Sequence, residues 1–302
     1  MHIPDAMLHG AVCPVTAALS ASGVAGAAWA AVRSVRRPTA GRFAAVTALI
    51  FAAQMLNFPI SGGTSGHLLG GVLAASLLGI PFGILSLAVV VSVQCLVFSD
   101  GGLSVLGANV FNMALIGAGL GGVLASAAAG SSPGPVRRYV ALAGASWLSV
   151  VLASLAVAAE LSLAGVIGFG TVASAMAGTH ALIGVGEAAI TVGCCLFLRA
   201  SVPARAGAGR RLAVPLGAAV LVALLLSPFA SGLPDGLEWV ADRYRFLHAA
   251  APSFAAPFPD YRVLCVEGEF LSTVMAALAG VAVTFGVAWL VGRAAASPGR
   301  AR

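Results

Sequence analysis

The sequence predicts an all-α polytopic membrane protein of about nine transmembrane helices, with the N-terminus outside and the C-terminus inside. Hydrophobic residues make up 60% of the 302 positions and charged residues only 9%, and the mean hydropathy is +1.01. Apolar runs recur along the chain, and arginines and acidic residues fall in alternate connections between them. This composition and spacing are typical of a helical bundle in a membrane.

The expected spans follow from the apolar runs, which lie near residues 10–32, 42–58, 67–80, 82–98, 103–127, 139–159, 174–198, 212–229 and 270–292. A helix that crosses the bilayer needs about 20 residues. The runs 67–80 and 82–98 are shorter than that, and Gly79-Ile80-Pro81 separates them. We expect two helices here because a proline breaks a helix interior.

The arginines set the predicted orientation, since they concentrate in cytoplasmic loops. If the spans alternate, one face receives Arg33, Arg36, Arg37, Arg42, Arg137, Arg138, Arg199, Arg205, Arg210, Arg211, Arg293, Arg300 and Arg302. The opposite face receives Asp5, Asp100, Glu160, Asp235, Glu238, Asp242, Asp260, Glu267 and Glu269. Only Glu187 is then expected inside a helix.

The first two residues, Met1-His2, can offer three nitrogens to a transition metal. These are the free amine of Met1, the deprotonated amide of His2 and Nδ1 of its imidazole, which close a five-membered and a six-membered chelate ring. Planar nitrogen ligands suit Ni(II), Cu(II) and Co(II). No positively charged segment precedes the first apolar run, so we expect Met1 to remain the terminal residue. The alternative is a frayed terminus.

A glycine-rich loop, residues 57–67, is expected on the same face as Met1. It contains Pro59, Gly62, Gly63 and Gly66, and irregular backbone at membrane depth is tolerated only where it is buried in protein or lines a polar cavity. His67 at its end could supply the fourth nitrogen. The alternative is an ordinary connector.

Six stretches of the chain form a set of motifs: Met1-His2-Ile3-Pro4-Asp5, Gln54 to Pro59, Gly62 to Gly71, Asp100 to Leu103, Gly107 to Met113, and Gly178 to Glu187. Together they resemble the CbiM/NikM family, the substrate-binding membrane components of energy-coupling factor (ECF) transporters for cobalt and nickel. The resemblance implies a seven-helix metal-binding domain over 1–200, with Met1, His2 and His67 as metal ligands. Ala6 departs from the family, which usually has glycine there.

The last third of the chain resembles the small CbiN/NikN component. Its signature is Pro234-Asp235-Gly236-Leu237-Glu238, the PDGLE motif, which lies in an outer segment between two spans. This implies a two-helix domain over 212–302, fused to the first domain. The stretch 201–211, with several arginines and glycines, is predicted to be a cytoplasmic linker.

Polar residues inside apolar spans are costly and are therefore candidates for function. The possible outer-shell residues around the metal are Asn57, Ser65, Asn109, His180 and Glu187. His180 and Glu187 are seven residues apart on one helix face. We expect them to orient the glycine loop through hydrogen bonds rather than to bind the metal. His9 and His248 are expected to be structural or solvated.

The resemblance implies a substrate-specificity component that captures Co(II) or Ni(II) as transported substrate, in the cytoplasmic membrane of a prokaryote, with cobalamin synthesis as a destination for cobalt. The chain contains no lysine, which excludes a Walker A nucleotide site. No enzyme activity, bound nucleotide or nucleic-acid partner is expected. The implied partners are a transmembrane coupling component and two cytoplasmic ABC ATPases. A stripe of Ala17, Ala21 and Ala25 could dock the coupling component.

Two other functions remain open from the residues alone. Gly63-Thr64-Ser65-Gly66 matches the short nucleophile motif of rhomboid proteases, with His180 as a candidate base for Ser65. A channel or secondary carrier that moves metal without an ATPase is the other alternative.

Overall fold

The computed structural model describes residues 1–203, 205–246 and 254–296. His248, Arg300 and Arg302 lie outside these residues. The elements are α1 Val12–Arg33, α2 Ala40–Gln54, β1 Phe58–Ile60, β2 Thr64–Gly66, α3 Gly71–Leu78, α4 Ile80–Phe98, α5 Leu106–Val110, α6 Gly121–Ala129, α7 Pro135–Leu163, α8 Phe169–Ser201, α9 Ala208–Leu221, α10 Gly236–Arg243 and α11 Glu269–Ala296. A π-helical stretch, Phe111–Leu120, makes α5 and α6 one continuous helix. The predicted all-α membrane fold is confirmed.

The described residues contain 7 helices that are long and apolar enough to cross a membrane, and α2 is a shorter apolar helix. The expected span 67–80 is wrong as a spanning helix, because α3 has only 8 residues, a length of about 12 Å. Gly70 with φ +75° and Gly79 with φ +89° bound it at each end. The count of nine spans and the orientation stay predictions.

A small β-hairpin forms within the glycine-rich loop. Strands β1 and β2 pair antiparallel, with Phe58 opposite Gly66 and Ile60 opposite Thr64. Gly62 and Gly63 have φ of +89° and +76° and form the turn, a backbone region that residues with a Cβ rarely adopt. The hairpin explains why the predicted span 42–58 ends early, at Gln54.

Helix α2 lies at the centre of the bundle and is buried over nearly its whole length. Helices α9 and α11 from the last third of the chain pack against it. At one contact, a Cβ added to Gly280 of α11 would lie 2.2 Å from the ring of Phe51. The last third is therefore part of the same bundle as the first two thirds.

The expectation that only Glu187 would lie inside a helix is wrong. Glu160 lies in α7 and is 5% exposed, and it accepts a hydrogen bond of 2.8 Å from Asn112 Nδ2. The carboxyl group can be buried because this amide satisfies one of its oxygens. Glu238, Asp242 and Glu269 also lie in helices, near the surface of the outer segment.

Candidate metal site

The N-terminus is folded into the protein. Met1 is 6% exposed and Ile3 is fully buried. The main chain of Ile3 is held like a strand: its N–H donates to Asn109 Oδ1 at 2.8 Å, and its carbonyl accepts from Asn109 Nδ2 at 3.0 Å. Gly102 N–H donates to the same carbonyl at 2.9 Å. These bonds fix the position of the terminal amine and exclude a frayed terminus.

His67 contacts the terminal amine: the distance between Met1 N and His67 Nε2 is 2.5 Å. Its Nδ1–H donates to the carbonyl of Leu68 at 3.0 Å. This bond leaves the lone pair on Nε2, the atom that faces Met1, which is how outer contacts commonly prepare a histidine for metal binding. Burial, followed by the neighbouring ammonium, lowers the pKa of His67 to about 3. The imidazole is therefore neutral near pH 7.

Glu187 orients the turn that carries His67. Its two carboxylate oxygens accept hydrogen bonds from the N–H groups of Leu69 at 2.5 Å and Gly70 at 2.8 Å. Gln54 Nε2 donates to the carbonyl of Leu69 at 2.7 Å. The buried main-chain groups of this turn thus have hydrogen-bond partners from both α2 and α8. The sequence suggested such an orienting role for Glu187.

The imidazole of His2 lies against that of His67, with ring centroids 5.3 Å apart and an interplanar angle of 17°. His2 Nε2 bonds to Gln94 Oε1 at 3.0 Å, and Nδ1 lies 3.1 Å from Asp100 Oδ1. Tyr261 donates to the other oxygen of Asp100 at 2.5 Å. Burial lowers the pKa of His2, and the charge of Asp100 opposes this shift.

Asp235 of the PDGLE motif completes the cluster, and sequence reasoning missed it as a site residue. Its Oδ2 pairs with the terminal ammonium and lies 3.8 Å from His67 Nε2. Burial alone would raise the pKa of Asp235, but the ammonium and His67 outweigh burial and hold the pKa well below its usual range. The only signal in the sequence was the motif itself.

The residues of the PDGLE motif form contacts that hold the segment in place. The carbonyl of Pro234 accepts from Ser65 N–H at 2.8 Å, and Asp235 caps α10 by accepting from the N–H groups of Leu237 and Glu238 at 2.8 and 2.9 Å. Glu238 bonds back to Asp235 N–H, which makes a capping box. At Gly236 a Cβ would lie 2.9 Å from His180 and from Ile183. The motif therefore places Asp235 beside Met1 and closes the segment over β2.

His180 forms part of the wall of a cavity of about 10 Å³ that Met1, His67 and Asp235 also line. This is room for a single water molecule. His180 Nδ1 donates to the carbonyl of Met176 at 2.8 Å, while its buried Nε2 has no partner within the described residues.

The structure does not form the Ser65–His180 pair that a protease would need. Ser65 Oγ donates to the carbonyl of Leu233 at 2.8 Å. Asn57 is another expected site residue, and its contact with the outer segment is through the main chain. Its carbonyl accepts a hydrogen bond from Ser231 N–H at 2.7 Å. Both residues hold the outer segment over the hairpin.

No group of three or more His, Cys, Asp or Glu side chains is placed to hold a metal ion anywhere in the part of the chain that the structure describes. The amine of Met1 and the amide of His2 are main-chain nitrogens beside the two imidazoles.

The fold of this membrane bundle is shared with solved transition metal transporters. The structure is similar to the crystal structure of a truncated transition metal transporter, with a TM-score of 0.58 and 29% sequence identity over 66% of this chain and 98% of that chain. A second crystal structure of a transition metal transporter has the same TM-score, and the match covers 66% of this chain and 93% of that chain.

The chain belongs to the CbiM family, described as the cobalt uptake substrate-specific transmembrane region, whose model matches residues 2–205. The PDGLE domain model matches residues 209–297. A putative fused nickel transport protein NikMN of Archaeoglobus fulgidus is 33% identical over 97% of this chain and 98% of its own length. The fused NikMN of Rhodobacter capsulatus is 30% identical over 94% of each chain. A cobalt transport protein CbiM of Sorangium cellulosum is 33% identical over 52% of this chain and 72% of its own. The resemblance seen in the sequence is confirmed.

Proposed function

We propose that this protein is the substrate-specificity component of an ECF-type transporter, which captures Co(II) or Ni(II) at its buried N-terminus in the cytoplasmic membrane of a prokaryote. The observation that carries the proposal is the 2.5 Å approach of Met1 N to His67 Nε2. In the metal-free protein the terminal ammonium donates a hydrogen bond to His67 Nε2. Once the ammonium has lost a proton, the two nitrogens are close enough to bind one ion as adjacent ligands. The membership of a metal-uptake family supports the choice of substrate.

The proposed ligands are the Met1 amine, the His2 amide, Nδ1 of His2 and Nε2 of His67. Binding requires the amine and the amide to lose protons, since only the deprotonated groups bind metal. It also requires the Met1–Asp235 ion pair to break and His2 Nδ1 to leave Asp100. The carboxylates of Asp235 and Asp100 remain beside the ion and offset part of its charge.

Asp235 has a separate role in the absence of cargo. A buried ammonium without a counter-ion costs several kcal/mol, so the carboxylate keeps the terminus inside the bundle while it waits for metal. The PDGLE segment, in the domain proposed over 212–302 and joined through the linker 201–211, thereby acts on the ligands of the domain proposed over 1–200.

Energy for release comes from partners, because the sequence has no lysine for a Walker A site. We infer a transmembrane coupling component and two ABC ATPases. Helix α1 supports the inference of a coupling component, since only 22% of its most apolar stretch is buried inside the chain. Its small residues Ala17, Ala21 and Ala25 are exposed, which allows a close approach of another helix.

The test is a variant extended by one residue before Met1, compared with a variant that carries one extra residue between Arg205 and Ala206. Bound Co(II) and Ni(II) are measured by elemental analysis and by the visible absorption of the purified protein. We expect the first insertion to weaken binding by at least about a hundredfold, because the amine leaves the chelate. The second should bind as the unmodified chain does. Equal binding by both variants would refute the proposal.

A further inference from the structure

A second part of the outer segment, residues 258–261, reaches the candidate metal site from the side of His2. Its main chain is attached to the end of α4, where Phe258 N–H donates to the carbonyl of Val97 at 2.9 Å. Tyr261 N–H donates to the carbonyl of Phe258 at 3.1 Å and closes a turn. We call residues 258–261 the Tyr261 turn.

The backbone of the Tyr261 turn is strained. Asp260 and Tyr261 have φ of +51° and +58°, values that a residue with a Cβ rarely adopts. They are the one adjacent pair of non-glycine residues with positive φ in the part of the chain that the structure describes. Ser99, directly before Asp100, also has a positive φ, of +56°. Strain of this kind persists where the surrounding contacts hold it and is concentrated at functional sites.

Aromatic contacts fix the ring of Tyr261. The ring stacks on that of Phe98, with centroids 4.5 Å apart and an interplanar angle of 17°. It also lies near Phe51 of α2, at a centroid distance of 6.4 Å. Ring pairs at these distances attract each other, and both phenylalanines are fully buried. The ring of Tyr261 is therefore held in one position, two residues from Asp100 along the chain of its partner Phe98.

The hydroxyl of Tyr261 and the imidazole of His2 share one carboxylate. Tyr261 donates to Asp100 Oδ2 at 2.5 Å, and His2 Nδ1 lies 3.1 Å from Asp100 Oδ1. Burial, followed by the charge of Asp100, raises the pKa of Tyr261 well above its usual value, so the hydroxyl keeps its proton and acts as the donor. These two contacts link the Tyr261 turn to a proposed metal ligand.

Binding of metal changes only one side of this arrangement. In the proposed function His2 Nδ1 leaves Asp100 and turns to the ion. A partly buried carboxylate that loses its only donor is costly, but Asp100 keeps the bond from Tyr261. The cost of releasing His2 is therefore lower than it would be without the hydroxyl.

We propose that Tyr261 is a positioning residue for metal binding: it holds Asp100 beside His2 in the metal-free chain and remains the partner of Asp100 when Nδ1 turns to the ion. This inference rests on the proposed function of the N-terminus. It gives the region that matches the PDGLE model a second contact with the ligands, at His2, separate from that of Asp235 at Met1.

The test compares Tyr261→Phe, which keeps the stacked ring and removes only the hydroxyl, with Tyr244→Phe, which removes the hydroxyl of an exposed tyrosine in the same outer segment. Co(II) affinity of the purified full chain is measured by competition with a chelator near pH 7, and thermal unfolding checks that each variant is folded. We expect Tyr261→Phe to bind Co(II) about tenfold more weakly. Tyr244→Phe should remain within about twofold of the unmodified chain.

The same substitution in an Asp100→Ala background separates positioning from packing. The hydroxyl has no carboxylate to hold there, so Tyr261→Phe should change the affinity by less than about twofold. A tenfold loss that persists in this background would mean that Tyr261 acts through packing, and it would overturn the proposal. Unchanged affinity in Tyr261→Phe alone would overturn it as well.

The variant extended by one residue before Met1 is measured in parallel, because it tests the proposed function alone. If it loses Co(II) binding while Tyr261→Phe binds as Tyr244→Phe does, the proposed function stands and the role of Tyr261 is refuted. If the extended variant binds Co(II) as the unmodified chain does, the proposed function fails and this inference fails with it.

Discussion

Ala6 adopts a left-handed backbone with φ +64° in the turn that directs the N-terminus inward. A residue with a Cβ pays about 1 kcal/mol or more for this conformation, and glycine does not. We expect Ala6→Gly to stabilise the protein by about 1 kcal/mol, measured by thermal unfolding in detergent. Ala28→Gly, inside α1, should instead destabilise it by a similar amount. A loss of stability in Ala6→Gly would contradict the interpretation of the turn.

The pH dependence of metal binding identifies which groups lose protons. His67 has a pKa of about 3, so it is already neutral above pH 5 and cannot cause a change there. The amine and the amide each release one proton on binding. We therefore expect the binding constant to fall by about a hundredfold for each unit by which pH is lowered between 7 and 5. Competition titration with a chelator measures this slope, and a tenfold change or less would exclude amide coordination.

At the scale of residues, the sequence predicted Met1, His2 and His67 as one cluster, from the expected topology and the family resemblance. It did not identify Asp235, Asp100 or Gln94 as their neighbours. These contacts join residues up to 234 positions apart. Such pairings depend on how helices and loops pack, which no local pattern encodes.

Among the elements, the turn before α3 depends on one carboxylate. In Glu187→Gln an amide replaces one of the two oxygens that accept from Leu69 and Gly70, so one buried N–H loses its partner. We expect metal affinity to fall by about ten to a hundredfold, because His67 is no longer held in position. Isothermal titration with Co(II) measures the change.

The matched control for this prediction is Glu160→Gln, which changes the other carboxyl group buried in a long helix and bonded to Asn112. Glu160 does not contact the His67 turn, so metal affinity should remain within about twofold of the unmodified chain. Equal losses in the two variants would mean that general destabilisation of the bundle, rather than the position of His67, controls affinity.

The start of α10 separates two roles of Asp235. Asparagine caps a helix as well as aspartate does, so Asp235→Asn keeps the cap and removes only the charge that pairs with the terminal ammonium. We expect a loss of about 3 kcal/mol in the unfolding free energy of the metal-free protein near pH 7. Asp242→Asn, at an exposed position of the same helix, should change it by less than about 0.5 kcal/mol.

In the unmodified chain, lowering the pH also removes the stabilisation that comes from the charge of Asp235. Because the folded pKa of Asp235 is depressed, its stabilisation is present above the unfolded value of about 3.9 and is lost as pH falls below it. The stabilities of Asp235→Asn and the unmodified chain should therefore converge toward acid pH. If the two unfolding free energies differed by the same amount at every pH, the stability lost in Asp235→Asn would not come from the charge.

Most helices could be predicted from apolar runs, but the elements around the site could not. The run 67–80 is apolar apart from His67 and Ser76, and the glycines at the ends of α3 limit this helix to 8 residues. The sequence indicated that residues 57–66 are not helical, but it did not show that Ser65 N–H bonds to Pro234 in the distant outer segment. A local sequence pattern does not reveal a tertiary contact of this kind.

For the whole molecule, orientation is the prediction to test. Cys265 lies in the outer segment and is exposed, whereas Ala206 lies at the arginine-rich end. With Cys13, Cys95, Cys194 and Cys195 replaced by alanine, we expect an impermeant maleimide to label Cys265 in intact cells. In Ala206→Cys, with Cys265 also replaced, labelling should require broken cells. The opposite pattern would reverse the orientation.

The sequence predicted two fused parts but not how closely they combine. Helices α9 and α11 complete the surroundings of α2, and the outer segment meets the hairpin through the Ser231–Asn57 and Ser65–Pro234 bonds. Apolar helices of similar composition give no indication of which neighbour each one selects. Small contacts such as Gly280 against Phe51 decide this, and they are visible only after packing.

The segment that carries Asp235 lies directly over the histidine pair, and its consequence is kinetic. In the proposed function the metal ion has to pass this segment to reach the nitrogens. We therefore expect its arrival to wait for a spontaneous opening of the segment rather than for diffusion. At high external metal the capture rate therefore levels off at the frequency of opening. The same cover slows escape once an ion is inside, so scarce metal is retained long enough for the slower step of delivery.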